Sequence, residues 1–464
     1  MRHALPFFGH HLNTVRSVMT LSRSAILGAL LLGSALPLRA QQSPEAFVRD
    51  AVERNLGVQG EALALARSAV ELRRTGALRL PTLSLEVQHV ELAGGADIGE
   101  LVNPAFVALN ELTASTAFPT DLSFRFPLRQ DARVRLSLPL FDGQIGAARG
   151  AARATRDAQA GRLDVAERNA ATALRIGLLQ HAAAVEVVRL REAVLGSLEE
   201  QLRAAERRAV EGLDAPDVVL RARADRSEGE QLLLEARQAA AAVRRAVNRQ
   251  ARRALEAAVP VVSDTTWRVV LPADLDDAVR QAMTREDLEV AEAGIALAEA
   301  GVAAARAQAL PTIRVAADYG FQGDRWRFTG ANDLAQLTVQ GSWQLFQSGR
   351  ARQAREAAAL EVRRAELARE DAADRIRLEV TDAWDALGTA RTALGPAGDR
   401  ARAATRTHEL VRRRWDEGLA SHLELVSARA AATAAEVAEI LARYTVAERA
   451  LLLARAIATD PFIP

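Results

Sequence analysis

The chain has 464 residues, 60 basic and 59 acidic side chains, 49% hydrophobic residues and no cysteine. The near-neutral charge argues against a protein that binds nucleic acid through bulk charge. The absence of cysteine excludes a disulfide framework, thiolate metal sites and cysteine catalysis. The apolar content is sufficient for a folded core, and the length would accommodate two or three ordinary domains.

The first forty residues have the pattern of a targeting segment. Arg16 and Arg23 precede an apolar run from Ala25 to Leu36, and the small residue Ala40 stands before two glutamines. This order is typical of a secretory signal, and the apolar run is too short to span a bilayer as a helix. The sequence predicts a signal peptide at 1–40 and an exported mature chain, with a buried N-terminal helix as the less favoured alternative.

The mature sequence contains two similar halves. The Leu-Pro-Thr segment at 80–82 recurs at 310–312, and the Glu-Gly-Leu segment at 211–213 recurs at 417–419. Such self-similarity indicates an internal duplication. It predicts a two-fold repeat with units at 41–259 and 273–464, a linker at 260–272, and a longer loop at 90–131 in the first unit.

Two stretches in each repeat alternate between apolar and polar residues, which predicts strands at 82–90, 132–140, 312–320 and 335–345. One face of each strand is apolar and the other polar over about ten residues, as in outer-membrane strands with lipid outside and water inside. A sheet half-buried on a soluble core alternates in the same way, so the strands alone leave both possibilities open.

Aromatic residues favour the membrane interpretation. They are concentrated in residues 106–141 and 319–346, and aromatic side chains gather where strands cross the membrane interfaces. The lipid-facing residues predicted in this way are Leu83, Leu85, Val87, Leu136, Leu138, Ile313, Val315, Val339 and Trp343.

Long helical stretches follow the strands in each half. Residues 144–211 and 350–417 contain no proline except Pro396, and each would extend roughly 100 Å as one helix. Helices of this length pack side by side in coiled coils. Because Gly212 and Gly418 are suited to end a helix, we predict two helical hairpins with tips at 211–215 and 417–421. Shorter helical segments are predicted at 44–80 and 273–310.

Four strands cannot close a barrel, and an open sheet edge cannot face lipid. Outer-membrane barrels have at least about eight strands. We therefore expect an oligomer whose strands form one barrel together, continued into the periplasm by the helical hairpins.

This combination resembles the TolC-like outer membrane efflux proteins, or outer membrane factors, over about residues 44–460. The resemblance is carried by the segments 77–81, 138–143 and 413–428. It implies a mainly helical fold with transmembrane β-structure: a homotrimer with a twelve-stranded barrel, four strands per chain, above a coiled-coil tunnel. It also implies a cell outer membrane location, with the helical part in the periplasm.

The resemblance implies the exit duct of a tripartite efflux pump that passes drugs, metal ions or other small molecules from the periplasm to the outside. Its partners would be a periplasmic adaptor (membrane fusion) protein, an inner-membrane transporter (a proton-driven pump or an ATP-driven exporter) and outer-membrane lipid, but no nucleic acid. Type I protein secretion is one alternative. A non-channel exported coiled-coil structural protein is another, of a different class.

The resemblance also assigns candidate site residues. Glu424 aligns with a family carboxylate that lines the closed aperture, and Ser427 stands where relatives often have a second carboxylate. Helix carboxylates more often simply pair with a nearby arginine, and His422 near the tip could sense pH. Contacts of Arg412, Arg413 or Asp416 are expected to hold the closed state. The residues expected to contact the adaptor at the tips are Gly212, Leu213, Gly418 and Leu419.

Motifs for catalysis are absent from the sequence. It has no glycine-rich phosphate loop, no paired-histidine metalloprotease motif and no nucleophile elbow. We therefore expect no enzyme activity, no cofactor and no metal site.

Overall fold

The computed structural model describes residues 43–458, except 92–96, 124–129, 213–214, 324–325, 327–329 and 331. The predicted signal peptide at 1–40 lies outside the described residues. The described chain is mainly helical and contains one four-stranded antiparallel sheet.

The first half of the chain contains, in order, α1 (Pro44–Arg54), α2 (Leu56–Ala77), β1 (Thr82–His89), α3 (Ile98–Leu112), β2 (Gln130–Phe141), α4 (Gly143–Val210) and α5 (Pro216–Gln250). The second half contains α6 (Leu275–Ala282), α7 (Glu286–Ala307), β3 (Thr312–Gly323), β4 (Asp333–Ser342), α8 (Arg350–Asp416) and α9 (His422–Ala456). The two halves have the same element order apart from α3.

The segments predicted as single helices at 44–80 and 273–310 are each divided into two helices. The first break lies at Asn55, whose side-chain oxygen accepts hydrogen bonds from the N–H groups of Gly57 and Val58. This satisfies free donors at the start of α2, so a new helix begins there. In the second half, residues 283–285 separate α6 from α7.

A helix that the sequence did not predict lies in the long loop of the first half. α3 begins after Asp97, whose carboxylate accepts a hydrogen bond from the N–H of Gly99 at 2.8 Å. An aspartate in this position is a favourable N-cap. α3 therefore lies between β1 and β2, which pair as neighbouring antiparallel strands.

The sheet has the strand order β1-β2-β3-β4, and every neighbouring pair is antiparallel. The register between β2 and β3 shifts between Pro139 and Phe141, near the end of β2 that leads into α4. β1 and β4 are the two edges, so each leaves one side of its backbone without a strand partner within the described chain.

The helices form a long bundle. α4 has 68 residues and packs against α1, α2, α5, α7 and α9, while α8 has 67 residues and packs against α6, α7 and α9. Small residues allow close approach: a Cβ at Gly229 of α5 would lie 2.6 Å from Leu198 Cδ1 of α4. Two hydrophobic clusters, one around Phe47 and Leu174 and the other around Val380 and Leu453, join the short helices α1 and α6 to the long ones.

α4 also contains a stretch apolar enough, by length and composition, to cross a membrane. This stretch is 39% buried. α4 packs against five other helices along its length, so part of this apolar stretch lies in the core of the bundle.

Candidate functional site at the sheet face and the hairpin tips

The apolar residues of the sheet share one face. Residues paired across antiparallel strands point to the same side, and the register pairs Leu83 with Leu136, Leu138 with Val315, and Val315 with Val339. Leu85, Val87 and Ile313 alternate with polar neighbours and so point the same way. Eight of the nine residues predicted to face lipid, all except Trp343, therefore lie on one continuous face of the sheet.

This apolar face is largely exposed. Leu83 is 72% exposed, Leu85 70% and Val339 66%, and Leu337 and Tyr319 on the same face are also exposed. A soluble protein rarely exposes a contiguous apolar surface of this kind. The arrangement is the opposite of a sheet packed on a soluble core, and it fits a sheet whose outer neighbour is lipid.

The other face is polar and contains ion pairs. The Arg135 Nε donates a hydrogen bond to Asp318 Oδ1 at 2.7 Å, and Arg135 Nη1 donates to Glu86 Oε1 at 3.0 Å. These contacts link β1, β2 and β3. The Asp318 side chain is only 3% exposed, and Arg133 pairs with Asp131 nearby. The sheet therefore presents ion-paired charged groups on one side and exposed aliphatic groups on the other.

Trp343 differs from the prediction because it lies just beyond β4. The partner strand β3 begins at Thr312, paired with Ser342, and the preceding residue Pro311 has no N–H to donate. Trp343 therefore has no strand to pair with. Its indole N–H instead donates to the carbonyl of Ala309 at 3.1 Å, which joins the end of β4 to the loop before β3.

The hairpin tips are closed by glycines in the left-handed region. Gly212 has φ +73° and Gly418 has φ +74°, a conformation that costs other residues free energy. At the second tip, the Leu419 N–H donates to the carbonyl of Arg414 at 2.7 Å and the Gly418 N–H to that of Trp415 at 2.9 Å. This is a Schellman cap. Leu419 is 66% exposed, whereas Leu213 lies outside the described residues.

Glu424 caps α9. The Ser421 hydroxyl accepts a hydrogen bond from the Glu424 N–H at 3.2 Å, and the Glu424 carboxylate accepts one from the Ser421 N–H at 2.7 Å. This contact with a backbone N–H lowers the pKa of Glu424. Glu424 thus takes part in a capping box and not in the arginine pairing given above as the alternative to the aperture role. The Ser-x-x-Glu spacing could have predicted this box. Glu424 and Ser427 are both exposed and share a face of α9.

Near the tips, polar contacts join α9 to the first hairpin. Asp225 Oδ2 of α5 lies 3.4 Å from His422 Nε2 and 3.8 Å from Arg429 Nη1, and Arg429 Nη2 donates to Gln201 Oε1 of α4 at 2.5 Å. Arg429 is buried, and burial lowers its pKa. Within the described segments around the tips, His422 and Arg429 thus join the second hairpin to the first. That contacts of Arg412, Arg413 or Asp416 hold the closed state stays a prediction.

The sequence of the second half matches a known protein family. Residues 280–459 match the family described as outer membrane efflux protein. The chain has no match among the sequences of curated proteins. The matched range includes β3, β4, α8 and α9, and therefore half of the sheet and the whole of the second hairpin.

Solved structures share the fold over most of the chain. CusC, which forms a transmembrane channel, has 16% sequence identity and a TM-score of 0.73, with 90% of this chain and 92% of CusC covered. The outer membrane protein VceC of Vibrio cholerae has 17% identity and a TM-score of 0.69 over 89% of this chain and 95% of its own. The open state of the Neisseria gonorrhoeae channel MtrE has 20% identity and a TM-score of 0.66 over 90% and 89%.

Proposed function

We infer that this chain belongs to the TolC-like outer membrane efflux protein family and acts as the exit duct of a tripartite efflux pump. The family consists of outer membrane channels, so the chain is a channel protein rather than an enzyme, with its helical part in the periplasm. The proposed duct passes drugs, metal ions or other small molecules from the periplasm to the outside.

The exposed apolar face of the sheet is the observation that carries this proposal. Leu83, Leu85 and Val339 need an apolar neighbour, while the ion-paired opposite face suits water. The two open edges of the sheet need strand partners in lipid. We propose that β4 of one chain pairs with β1 of the next, so that three chains of four strands close a twelve-stranded barrel.

The helical hairpins are proposed to form a tunnel below this barrel. In a trimer, three chains would contribute six hairpins, two from each chain and one from each of its proposed internal repeats. We propose that the tips contact a periplasmic adaptor protein through Gly212, Leu213, Gly418 and Leu419, and that the adaptor connects the duct to an inner-membrane transporter. The exposed side chain of Leu419 supports this assignment because a turn closed by glycine needs no apolar residue.

Fractionation and native mass measurement test the assembly. The chain expressed with its leader should sediment with outer membranes and migrate as a trimer in mild detergent. A spacer protein without a channel would stay in the soluble periplasmic fraction, and that result would contradict the proposal. Reconstitution in planar bilayers then separates a channel from an assembly without a pore.

We propose further that Glu424 lines the periplasmic aperture. Three symmetry-related carboxylates around one axis would form a ring of negative charge that favours cations. The hydrogen bond from the Ser421 N–H lowers the pKa of Glu424 and so favours its ionised form. Ser427 on the same helix face supplies no second charge, so the ring should be weaker than in relatives that have a second carboxylate.

The capping box makes the aperture test sharper. Glutamine at 424 can still accept the Ser421 N–H and preserve the cap, but it carries no charge. Glu424→Gln should therefore reduce cation selectivity and weaken block by multivalent cations added on the periplasmic side, while the trimer remains stable. Glu361→Gln removes the same charge from α8, about 80 Å from the tip along the helix, and should leave both quantities unchanged. If the cation selectivity of Glu424→Gln is unaltered, Glu424 does not line the aperture and acts only in the N-terminal cap of α9.

A further inference from the structure

α3 exposes an apolar stripe that no described element covers. Ile98 is 44% exposed, Leu101 81% and Leu112 84%. Between them, Ala105 and Ala108 are exposed on the same side of the helix. A cluster of large apolar side chains that is exposed to water usually marks a contact surface.

The spacing of the stripe is that of a coiled-coil seam. Its members recur at alternating intervals of three and four residues, as positions a and d of a heptad do. They are Ile98, Leu101, Ala105, Ala108 and Leu112. This regularity favours another helix as the partner, and the apolar residues outside the stripe, Val107 and Leu109, are less exposed, at 43% and 38%, than Leu101 and Leu112.

The opposite side of α3 is already occupied. The Asn103 side chain exchanges hydrogen bonds with the backbone of Leu122, and Asn110 does the same with Phe118. The rings of Phe106 and Phe118 stack with centroids 5.7 Å apart. The following segment, residues 113–123, thus packs against the side of α3 opposite the seam. The seam therefore remains exposed.

Charge also disfavours a membrane surface as the partner. Residues 90–123 contain no basic side chain, and they include Glu91, Asp97, Glu100, Glu111 and Asp121. Helices that lie on anionic membrane surfaces are instead rich in lysine and arginine on their polar face. An acidic helix would gain nothing electrostatically from such a surface.

We propose that the α3 helices of three chains pack together as a parallel three-helix coiled coil over the outer mouth of the barrel. This rests on the proposed trimer, in which three-fold symmetry makes the helices parallel. The chain from His89 to Asp97 can extend about 26 Å, whereas twelve tilted strands enclose a radius of about 12 Å. Each α3 can therefore reach the axis, and the bundle forms a lid on the duct.

Tethering accounts for the stability of so short a bundle. An isolated helix of 15 residues is marginal in water. Three copies attached to one barrel meet at an effective concentration in the millimolar range, which offsets the entropy of association. The lid should form in the trimer and be absent from an isolated peptide.

Cysteine cross-linking tests the lid, because the chain has no cysteine of its own. Leu101→Cys and Leu112→Cys place a thiol on the seam, whereas Val107→Cys places one on a different, exposed side of the same helix. Under mild oxidation of the detergent-solubilised trimer, the seam variants should form inter-chain disulfides at least about tenfold faster than Val107→Cys. Reductant should reverse the cross-link.

The outcomes separate the lid from the duct. A trimer in which neither seam variant cross-links faster than Val107→Cys would overturn the lid and leave the proposed function standing. Absence of any trimer would overturn both. A nitroxide can also be attached at Leu101→Cys. If oxygen dissolved in lipid relaxes this nitroxide and a water-soluble nickel chelate does not, the stripe lies against the membrane. That result would also overturn the lid.

Discussion

An arginine placed on the exposed apolar face of β4 should destabilise the protein in proportion to its depth in the bilayer. β4 has 10 residues, and a strand tilted by about 40° rises roughly 2.6 Å per residue along the membrane normal. β4 therefore spans about 26 Å, which matches the apolar band of about 25 Å in such barrels. Leu337 lies five residues before Ser342, at about the midplane.

The depth sets the expected magnitudes. Leu337→Arg should lower the free energy of unfolding by about 2–4 kcal/mol per chain, the cost of an arginine at the bilayer midplane. Val339 lies nearer the periplasmic edge, so Val339→Arg should cost about 1–3 kcal/mol. Both residues are well exposed, at 74% and 66%, so neither substitution removes an intramolecular core contact.

The strand register identifies the matched control. Thr338 lies between these residues on the polar face and is paired with Ala316. Thr338→Arg should therefore change the free energy of unfolding by less than about 0.5 kcal/mol. Gln340 is a poorer control because it is opposite Arg314, and like charges directly opposite each other repel. Denaturant titration of the protein in lipid vesicles measures all three variants. Equal costs for Thr338→Arg and Leu337→Arg would refute the assignment of the faces.

Two further predictions concern the helical part. Leu419→Asp, alone or with Leu213→Asp, should abolish efflux in cells while the trimer and membrane insertion remain intact; loss of the trimer would instead make these leucines part of the core. Burial lowers the pKa of His408, so the folded state favours the neutral ring. The contribution of this neutral ring to stability is present above the unfolded pKa of about 6.5. It is lost as the pH falls through the folded pKa. His408→Gln should therefore lose less free energy of unfolding than the unmodified chain between pH 7.5 and 5.5, and equal losses would contradict this.

The strands and the long helices could be predicted because their signals are local. The alternation around Leu83 and Val315 and the uninterrupted helix-forming residues of α4 act at short range. The end of β4 depended instead on where its partner strand begins, so Trp343 was assigned to a strand that stops at Ser342. The break at Asn55 had a capping signal, but it was hidden within a continuous helical composition.

α3 and the contacts near the tips were missed for different reasons. α3 contains Pro104 and follows a glycine-containing loop, both typical of irregular structure, although its heptad spacing was present in the sequence. The contacts of Arg429 with Gln201 and Asp225 join residues more than 200 positions apart. No single-sequence pattern specifies such pairs, because they depend on how the hairpins pack. The role of Glu424 as a cap was readable, since its partner Ser421 is three residues away.

The sheet also constrains the order of assembly. A single inserted chain would expose the outward backbone groups of β1, with 8 residues, and β4, with 10, to lipid. About half of these residues direct an N–H and a C=O away from the sheet, and each unpaired group in hydrocarbon costs several kcal/mol. The total reaches tens of kcal/mol, more than burial of the apolar face can offset for one chain. In water, conversely, a closed trimer would expose three apolar faces that carry Leu83, Leu337 and Val339. Neither a membrane-inserted monomer nor a water-soluble trimer is therefore stable on its own, and in the proposed duct the pairing of strand edges must accompany insertion into the outer membrane.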